Sequence, residues 1–371
     1  MLGQHPSSLV TRRRAALAAI AGAAAATGMA VAGCTRRSAL LDGSVAVPER
    51  ALPYAPLLLA VREGLYRRPP ARVAMVVRSS ARDAAAAVVD GEASAAALPL
   101  IDFAQAVAAG APLVAISALT RRAAAQLVVA TSGPLAGSGL DALLAGRWRA
   151  ARVGVQTGGG GTERLARYLL LDSGRPEPEG ATGTLLASDL FQGEPRWIAF
   201  GTDEALVAAI KDYRLDAFFG RSLATAQAVL LGGVEIAASF SDGATAPRVA
   251  SLGAVVLATR RDWLDSSDAA GHSGSVAFLA DLVAACRQAA STLSGADQLA
   301  AAAQALPEID RLALAAALRL DAPSPQTSAF APDGRLDPAT LDYLATLTAR
   351  AGQRLMLDPS IALDYRLLRT A

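Results

Sequence analysis

Apolar and polar residues follow two alternating patterns between residues 44 and 263. Short apolar runs predict β-strands, and stretches with an apolar residue every three or four positions predict helices. The predicted strands are 44–48, 72–77, 93–98, 112–119, 126–131, 151–156, 196–200, 214–220, 233–239 and 249–263. The predicted helices are 55–66, 82–92, 99–110, 139–146, 163–174, 202–212 and 223–231. Strands that alternate with helices predict βαβ units, mainly parallel sheets and an α/β fold.

Residues typical of helix ends support these boundaries. Pro56 suits a first helical turn, and Thr202 suits an N-cap. Gly64 and Gly91 suit helix C-termini, where a left-handed residue is common.

The pattern becomes helical after residue 263. Long amphipathic stretches cover 275–293 and 338–352, and Asp337-Pro338 is typical of a helix start. Cys286 lies within the first of these stretches and is interpreted as a small buried hydrophobic residue.

The N-terminus has the layout of an export signal. The basic cluster Arg12–Arg14 precedes the uncharged run Ala15–Val31, which is too short and too weakly apolar for a membrane span. The arginines resemble a twin-arginine signal, and residues 31–34, VAGC, resemble a bacterial lipobox. We therefore predict a signal peptide over 1–34, a lipid on Cys34 and a linker over 35–43. The alternative is an ordinary secretory signal with a chance cysteine.

Composition argues against several classes of function. The formal net charge of +2 gives no electrostatic case for nucleic-acid binding. Two cysteines do not make a disulfide framework, and His272 is the only histidine after the signal. With no metal-spaced His/Cys cluster and no Ser-His-Asp pattern, the chain has little for acid–base or nucleophilic catalysis.

Four consecutive glycines, Gly158–Gly161, separate a predicted strand from a predicted helix. Glycine permits a ligand to approach backbone N–H groups, and a helix N-terminus favours an anion. A nucleotide-binding P-loop is excluded because its lysine is missing, and the spacing does not fit GxGxxG. The glycines are therefore either a binding loop or a flexible connector.

Several motifs, in order, resemble one family over nearly all of the chain after the signal. They are PLLLAVREGLYRR, VVDGEASAAALPL, AAGAPLVAISAL, LDALLAGRWRAARVGVQTGGGGTERLARYLL, ALVAAIKDYRLDAFFG, FAPDGRLDPATLDYLATLTARAG and DPSIALDY. They resemble the substrate-binding proteins of ABC importers of the nitrate/sulfonate/taurine class. The resemblance implies a type II periplasmic-binding fold with two α/β lobes, crossover strands and a helical C-terminus. Lobe 1 would comprise 44–122 and 242–371, and lobe 2 would comprise 123–241.

Ligands of open α/β sheets bind beyond the carboxyl ends of the strands. This rule and the resemblance predict ligand contacts at Tyr54, Ser79, Ser80, Pro99, Thr120, Thr157, Gly158, Gly159, Gly160, Gly161, Thr162 and Arg221. Simpler alternatives are packing for Tyr54, an N-cap for Ser80 and a solvated loop for Arg221. Asp102 and Glu63 lie inside predicted helices and are interpreted as surface residues.

The resemblance implies an exported, non-enzymatic receptor that delivers a small solute to an ABC permease and its ATPase. The polar, aromatic-poor set of candidate residues favours a compact anion, such as a sulfonate or nitrate, over a stacked ring. No cofactor or metal is expected, and membrane attachment would be through the lipid on Cys34. Two alternatives remain: an enzyme on the same fold, of pyrimidine-precursor or menaquinone-pathway type, and a ligand-sensing module for a membrane partner.

Overall fold

The computed structural model describes residues 43–64, 73–146, 148, 150–156, 161–172, 196–265, 273–323, 326–350, 355 and 357–369. The predicted signal peptide, Cys34 and His272 lie outside the described residues.

Ten strands in the described residues form two five-stranded sheets. The first sheet has the order β2-β1-β3-β10-β4 and contains β1 (Ser44–Val47), β2 (Ala74–Val77), β3 (Ala95–Pro99), β4 (Leu113–Thr120) and β10 (Val255–Arg260). The second sheet has the order β7-β6-β8-β5-β9 and contains β5 (Ala125–Ala130), β6 (Arg152–Gln156), β7 (Arg196–Phe200), β8 (Ala217–Arg221) and β9 (Val234–Ser239).

In each sheet, one strand is antiparallel to its neighbours, and this strand directly follows a strand of the other sheet in the chain. Strand β10 follows β9 in the chain but pairs antiparallel with β3 and β4. Strand β5 follows β4 but pairs antiparallel with β8 and β9. The other direct pairings, β1 with β2 and β3, and β6 with β7 and β8, are parallel. The predicted α/β class with mainly parallel sheets is confirmed.

Helices cover both sheets and form the C-terminal part of the chain. They are α1 (Ala55–Arg62), α2 (Ala81–Val89), α3 (Leu100–Ala108), α4 (Leu140–Leu144), α5 (Gly161–Asp172), α6 (Asp203–Lys211), α7 (Ser222–Leu231), α8 (Pro247–Ser251), α9 (Arg261–Asp265), α10 (Ser273–Leu293), α11 (Gln298–Ala305), α12 (Arg311–Asp321), α13 (Ala339–Arg350) and α14 (Pro359–Ala362). A 3-10 turn, Leu52–Tyr54, precedes α1, and another, Arg366–Arg369, follows α14.

The helix ends explain why these segments fold locally as they do. Thr202 accepts a hydrogen bond from the N–H of Ala205 at 3.2 Å and caps α6, as its sequence predicts. Asp310 caps α12 in the same way through the N–H groups of Leu312 and Ala313. Gly91, just beyond α2, has φ of 75°, a left-handed conformation that glycine adopts without a steric penalty.

Successive residues of the central strands face opposite apolar layers. In β5, Leu127 and Val129 pack in one cluster with Phe219, whereas Val128 packs in another with Phe218. This is the two-residue period of a strand that is covered on both faces.

Helix α10 has the length and composition to cross a bilayer over Val276–Leu293. In the structure it instead packs against α1, with Leu279, Leu282 and Val283 fully buried. Cys286 is also buried, as predicted, and burial raises the pKa of its thiol to about 12. We interpret α10 as a core helix.

Two local predictions need correction. Residues 249–263 are not one strand, because Pro247 starts the short helix α8 and β10 begins only at Val255. Proline fixes φ near the helical value and suits a first helical turn. The predicted helix 55–66 has its last helical residue at Arg62. The sequence pattern after residue 263 indicates helical structure but does not give the bounds of α11 and α12, which the structure supplies.

The two crossovers between the sheets are in close contact. Residues 121–124 join β4 to β5, residues 240–254 join β9 to β10, and the N–H of Ala123 donates to the carbonyl of Ala250 at 2.7 Å. A Cβ atom at Gly253 would lie 2.3 Å from the Cβ of Ala123 and 2.7 Å from its Cα. Because Gly253 has no side chain, the two crossovers can approach each other at a distance that any other residue at this position would prevent.

A buried ring of side-chain hydrogen bonds joins β5, the second crossover and the start of α7 to the end of α12. We call Gln126, Ser222, Ser241 and Asp321 the polar ring; none is more than 1% exposed. The amide nitrogen of Gln126 donates to the hydroxyls of Ser222 and Ser241, at 3.0 and 2.8 Å. Both hydroxyls donate to one carboxylate oxygen of Asp321, the Ser241 bond measuring 2.9 Å. Burial raises the pKa of Asp321 to about 7, although the two serine hydrogen bonds oppose this.

We predict that Gly253→Ala destabilises the protein by about 1–3 kcal/mol, because backbone atoms of Ala123 must move to admit the methyl group. The urea midpoint, followed by circular dichroism, measures the change. Gly133→Ala is the matched control, since its Cβ would lie 3.6 Å from that of Ala130, an ordinary contact. Equal midpoints for both variants would contradict the proposed close packing.

We also predict that Asp321→Asn changes how stability depends on pH. The native pKa of about 7 exceeds the value of about 3.9 for an unfolded aspartate, so the native state keeps a proton that the unfolded state releases. Wild-type stability should therefore fall as pH rises from about 4 to about 7 and then change no further on this account. The variant should lack this fall in stability, because asparagine does not titrate. Urea midpoints at pH 5 and pH 8 test this, and parallel curves for the two proteins would refute it.

Candidate functional site

A cavity of about 380 Å³ lies where strand ends of the two sheets face each other. We call it the cleft cavity. Its walls come from residues at or just beyond the carboxyl ends of β1, β2, β3, β6, β7 and β8. They include Glu49, Ser79, Pro99, Gln156, Gly201 and Arg221. This is the location expected for a ligand of an open α/β sheet.

Six of the residues predicted as ligand contacts line the cleft cavity: Tyr54, Ser79, Ser80, Pro99, Thr162 and Arg221. Thr120 does not line it. Thr120 is 1% exposed, and its hydroxyl accepts a hydrogen bond from the N–H of Val255 at 2.8 Å, which joins β4 to β10. Thr157, Gly158, Gly159 and Gly160 lie outside the described residues.

The described residues on both sides of the glycine run line the cleft cavity. Gln156 ends β6, and Thr162 is the second residue of α5, which begins at Gly161. Thr162 is 3% exposed, and its hydroxyl has no hydrogen-bond partner among the described residues. The free N–H groups of a first helical turn favour an anion. The buried Thr162 hydroxyl and the N-terminal end of the α5 dipole therefore favour a negatively charged group at this wall.

Ser79 and Ser80 are both engaged by the first turn of α2. The Ser80 hydroxyl accepts from the N–H of Asp83 at 3.1 Å, so the N-cap interpretation of Ser80 is correct. Ser79 donates to the carboxylate of Asp83, and these hydrogen bonds lower the pKa of Asp83. A ligand contact at either serine stays a prediction.

Tyr54 belongs both to the cavity wall and to the core. It ends the 3-10 turn before α1, is 3% exposed and packs in the core cluster of the first sheet. Burial, and after it the nearby charge of Glu49, raise its pKa well above the ordinary tyrosine value. The hydroxyl therefore stays protonated at neutral pH.

The expectation that Asp102 is a surface residue is wrong, whereas Glu63 is exposed as expected. Asp102, in the first turn of α3, lines the cleft cavity and pairs with Arg164 of α5 at 2.7 Å. Burial raises the pKa of Asp102 although Arg164 opposes it. The pair ties a helix of the first sheet to a helix of the second beside the cavity.

Arg221 is held by two carboxylates. Its Nε and Nη2 contact Oδ2 of Asp203, at 3.0 and 2.9 Å, and its Nη1 donates to Oε1 of Glu49. Burial lowers the pKa of Arg221, but the two carboxylates outweigh this and raise it above its ordinary value. Arg221 is therefore a buried, charged group in the wall and not the solvated loop residue of the simpler interpretation.

A second cavity of about 440 Å³ adjoins the cleft cavity. We call it the acidic cavity. The two cavities share the lining residues Glu49, Pro53, Ala124, Gln156, Gly201 and Arg221. Among the described residues, its acidic and basic lining residues are Glu49, Asp203, Glu204, Glu308, Asp310, Asp321, Arg50 and Arg221. The excess of carboxylates makes this cavity unfavourable for an anion.

The described residues offer little chemistry for a metal or a thiol nucleophile. No group of three or more His, Cys, Asp and Glu within them is arranged to hold a metal ion. Cys286 is buried, and its raised pKa leaves almost no thiolate at neutral pH.

Comparison with models of known protein families found no match, and comparison with curated protein sequences also found none. Solved structures do match. The alkanesulfonate-binding protein SsuA from Xanthomonas axonopodis pv. citri, bound to MOPS, is 17% identical with a TM-score of 0.57; the match covers 87% of this chain and 97% of that one. The periplasmic nitrate-binding protein NrtA from Synechocystis is 14% identical with a TM-score of 0.59, over 88% of this chain and 87% of that one.

A Candida albicans protein described as having the generic periplasmic binding protein fold is also similar. It is 12% identical with a TM-score of 0.57, and the match covers 87% of this chain and 95% of that one. Sequence identities this low indicate a shared fold but not a shared ligand. Together with the two sheets and their exchanged strands, these matches establish that the chain has the periplasmic binding protein fold.

Proposed function

We propose that the protein is an extracytoplasmic receptor that binds a small solute between two lobes and delivers it to an ABC permease and its ATPase. The observation that carries this proposal is the cleft cavity, whose walls come from strand ends of both sheets. A cavity of about 380 Å³ is within the usual size range for small-molecule sites. The names of the similar structures, an alkanesulfonate-binding and a nitrate-binding protein, agree with such a role.

The proposal includes two lobes that close around the solute. We assign 44–122 and 242–371 to lobe 1, and 123–241 to lobe 2. The short crossover 121–124 and the longer crossover 240–254 are the segments at which the lobes would turn relative to each other. The close approach of Gly253 to Ala123 supports a hinge with a fixed axis at this point.

The proposal also includes export and anchoring. The basic cluster at 12–14, the uncharged run after it and the lipobox-like VAGC at 31–34 support a cleaved signal peptide with a lipid on Cys34. A receptor held at the membrane surface in this way would remain near its permease.

We further propose that the solute is a compact anion, such as a sulfonate or nitrate. Support comes from the Arg221 guanidinium in the cavity wall and from the helix N-terminus at Thr162. Binding would need no catalytic residue and no cofactor.

We predict that ethanesulfonate or nitrate raises the melting temperature of the purified, solute-free protein. A solute at 100 times its Kd stabilises the native state by about 2.7 kcal/mol. Arg221→Ala should abolish most of the shift, because it removes the charged donors to the anion. Differential scanning fluorimetry measures both effects.

Arg366→Ala is the control variant. Arg366 is also ion-paired, with Asp265 and Asp364, but it does not line the cleft cavity. Its shift should equal that of the wild type. If a panel of sulfonates, nitrate and small carboxylates leaves the wild-type melting temperature unchanged, the receptor proposal is refuted for anions.

A further inference from the structure

We infer that Glu49 sets the affinity and the charge selectivity of the cleft cavity, because its carboxylate occupies the place on Arg221 that the anionic group of a solute would take. The inference rests on the proposed function and assigns a specificity-determining role to a residue outside the predicted set.

The two carboxylates on Arg221 differ in burial. Asp203 takes Nε and Nη2, and its side chain is only 8% exposed. Glu49 takes Nη1, and its side chain is 41% exposed. Glu49 is therefore the partner that water and solutes can reach, whereas Asp203 fixes the orientation of the guanidinium.

The two carboxylates also differ in origin. Asp203 begins α6, which follows β7, so Asp203 and Arg221 both belong to the second sheet and its helices. Glu49 follows β1 of the first sheet. The contact between Glu49 and Arg221 thus spans the cleft cavity, and rotation of Glu49 away from Arg221 requires no change within the second sheet.

Charge balance prevents Glu49 and a solute anion from binding Arg221 at the same time. Arg221 with Asp203 alone is neutral, and Glu49 brings the group to a net charge of −1. A solute anion added beside Glu49 would face two carboxylates around one guanidinium, a strongly repulsive arrangement in a partly buried site. The anion must therefore replace Glu49 on Arg221.

Replacement of Glu49 is energetically feasible. The Glu49 carboxylate is 41% exposed, so water solvates it when it leaves Arg221, and this lowers the cost of its release. A guanidinium offers paired N–H donors to a sulfonate or nitrate, and such hydrogen bonds are stronger than those between neutral groups. A neutral solute would gain no such bonds and would leave Glu49 in place. Glu49 therefore excludes neutral solutes from Arg221 and weakens the binding of every anion by a constant factor.

Glu49→Gln is the decisive variant, because it keeps the shape and removes the competing charge. Glu204→Gln is the matched control, because Glu204 is exposed and lines the acidic cavity, whereas the carboxylates that hold Arg221 in the described residues are those of Asp203 and Glu49. Its replacement removes one negative charge without freeing the guanidinium. Isothermal titration calorimetry at low salt with ethanesulfonate, and separately with nitrate, gives the Kd of each variant.

We expect Glu49→Gln to bind the anions about tenfold more tightly than the wild type, equivalent to about 1.4 kcal/mol. We expect Glu204→Gln to differ from the wild type by less than about threefold. Detectable binding in Glu49→Gln alone would support the inference most strongly. If both variants bind the anions more tightly by the same factor, the effect of Glu49 is one of general charge and the inference is overturned.

Other outcomes separate this inference from the proposed function. If the wild type binds an anion and Glu49→Gln binds it equally or more weakly, Glu49 does not compete, and only the inference fails. If neither the wild type nor Glu49→Gln binds either probe, the anion receptor proposal fails and the inference fails with it.

Discussion

The polar ring connects the parts of the molecule that have to be arranged together before a cleft exists. Gln126 comes from the first residues of β5, Ser241 from the second crossover, Ser222 from the start of α7 and Asp321 from the end of α12. Each serine hydroxyl accepts one hydrogen bond and donates another, so a change at any member leaves a further buried group unpaired, beside Oε1 of Gln126 and Oδ2 of Asp321, which have no partner among the described residues. Unpaired buried polar groups are costly, which gives this junction a single favoured arrangement. The adjacent residue Arg221 is consequently fixed in the wall of both cavities.

Much of the fold can be predicted from the sequence because its signals are local. Strand and helix periods, the Thr202 cap and the glycine at the end of α2 all depend on a few neighbouring residues. The strand-end rule also placed Ser79, Pro99 and Arg221 at one cavity, since parallel strands bring their carboxyl ends together. The rule does not say which way a side chain points, and Thr120, at the end of β4, turns into the interior instead.

The remaining features of the site depend on contacts between distant parts of the chain. Glu49 and Arg221 are 172 residues apart, and Asp102 and Arg164 are 62 apart. In a chain with many arginines, nothing in the sequence indicates which carboxylate pairs with which guanidinium. The sequence could have drawn attention to Glu49 and Asp203, because both follow predicted strands closely. The direct hydrogen bonds that occupy Arg221 follow only from the arrangement of the two sheets.

The strand exchange has a consequence for how the chain acquires its structure. Strands β3 and β4 are not hydrogen-bonded to each other and are joined only through β10, which lies more than 130 residues further along the chain. Strands β5 to β9 can form their sheet without β10, whereas the first sheet must wait until the second half of the chain is present. Pairings between residues so far apart form slowly, because a long loop has to close first. Strands β1 to β4, which precede the second sheet in the chain, are therefore expected to be the last to complete their native sheet, with strand edges exposed in the meantime.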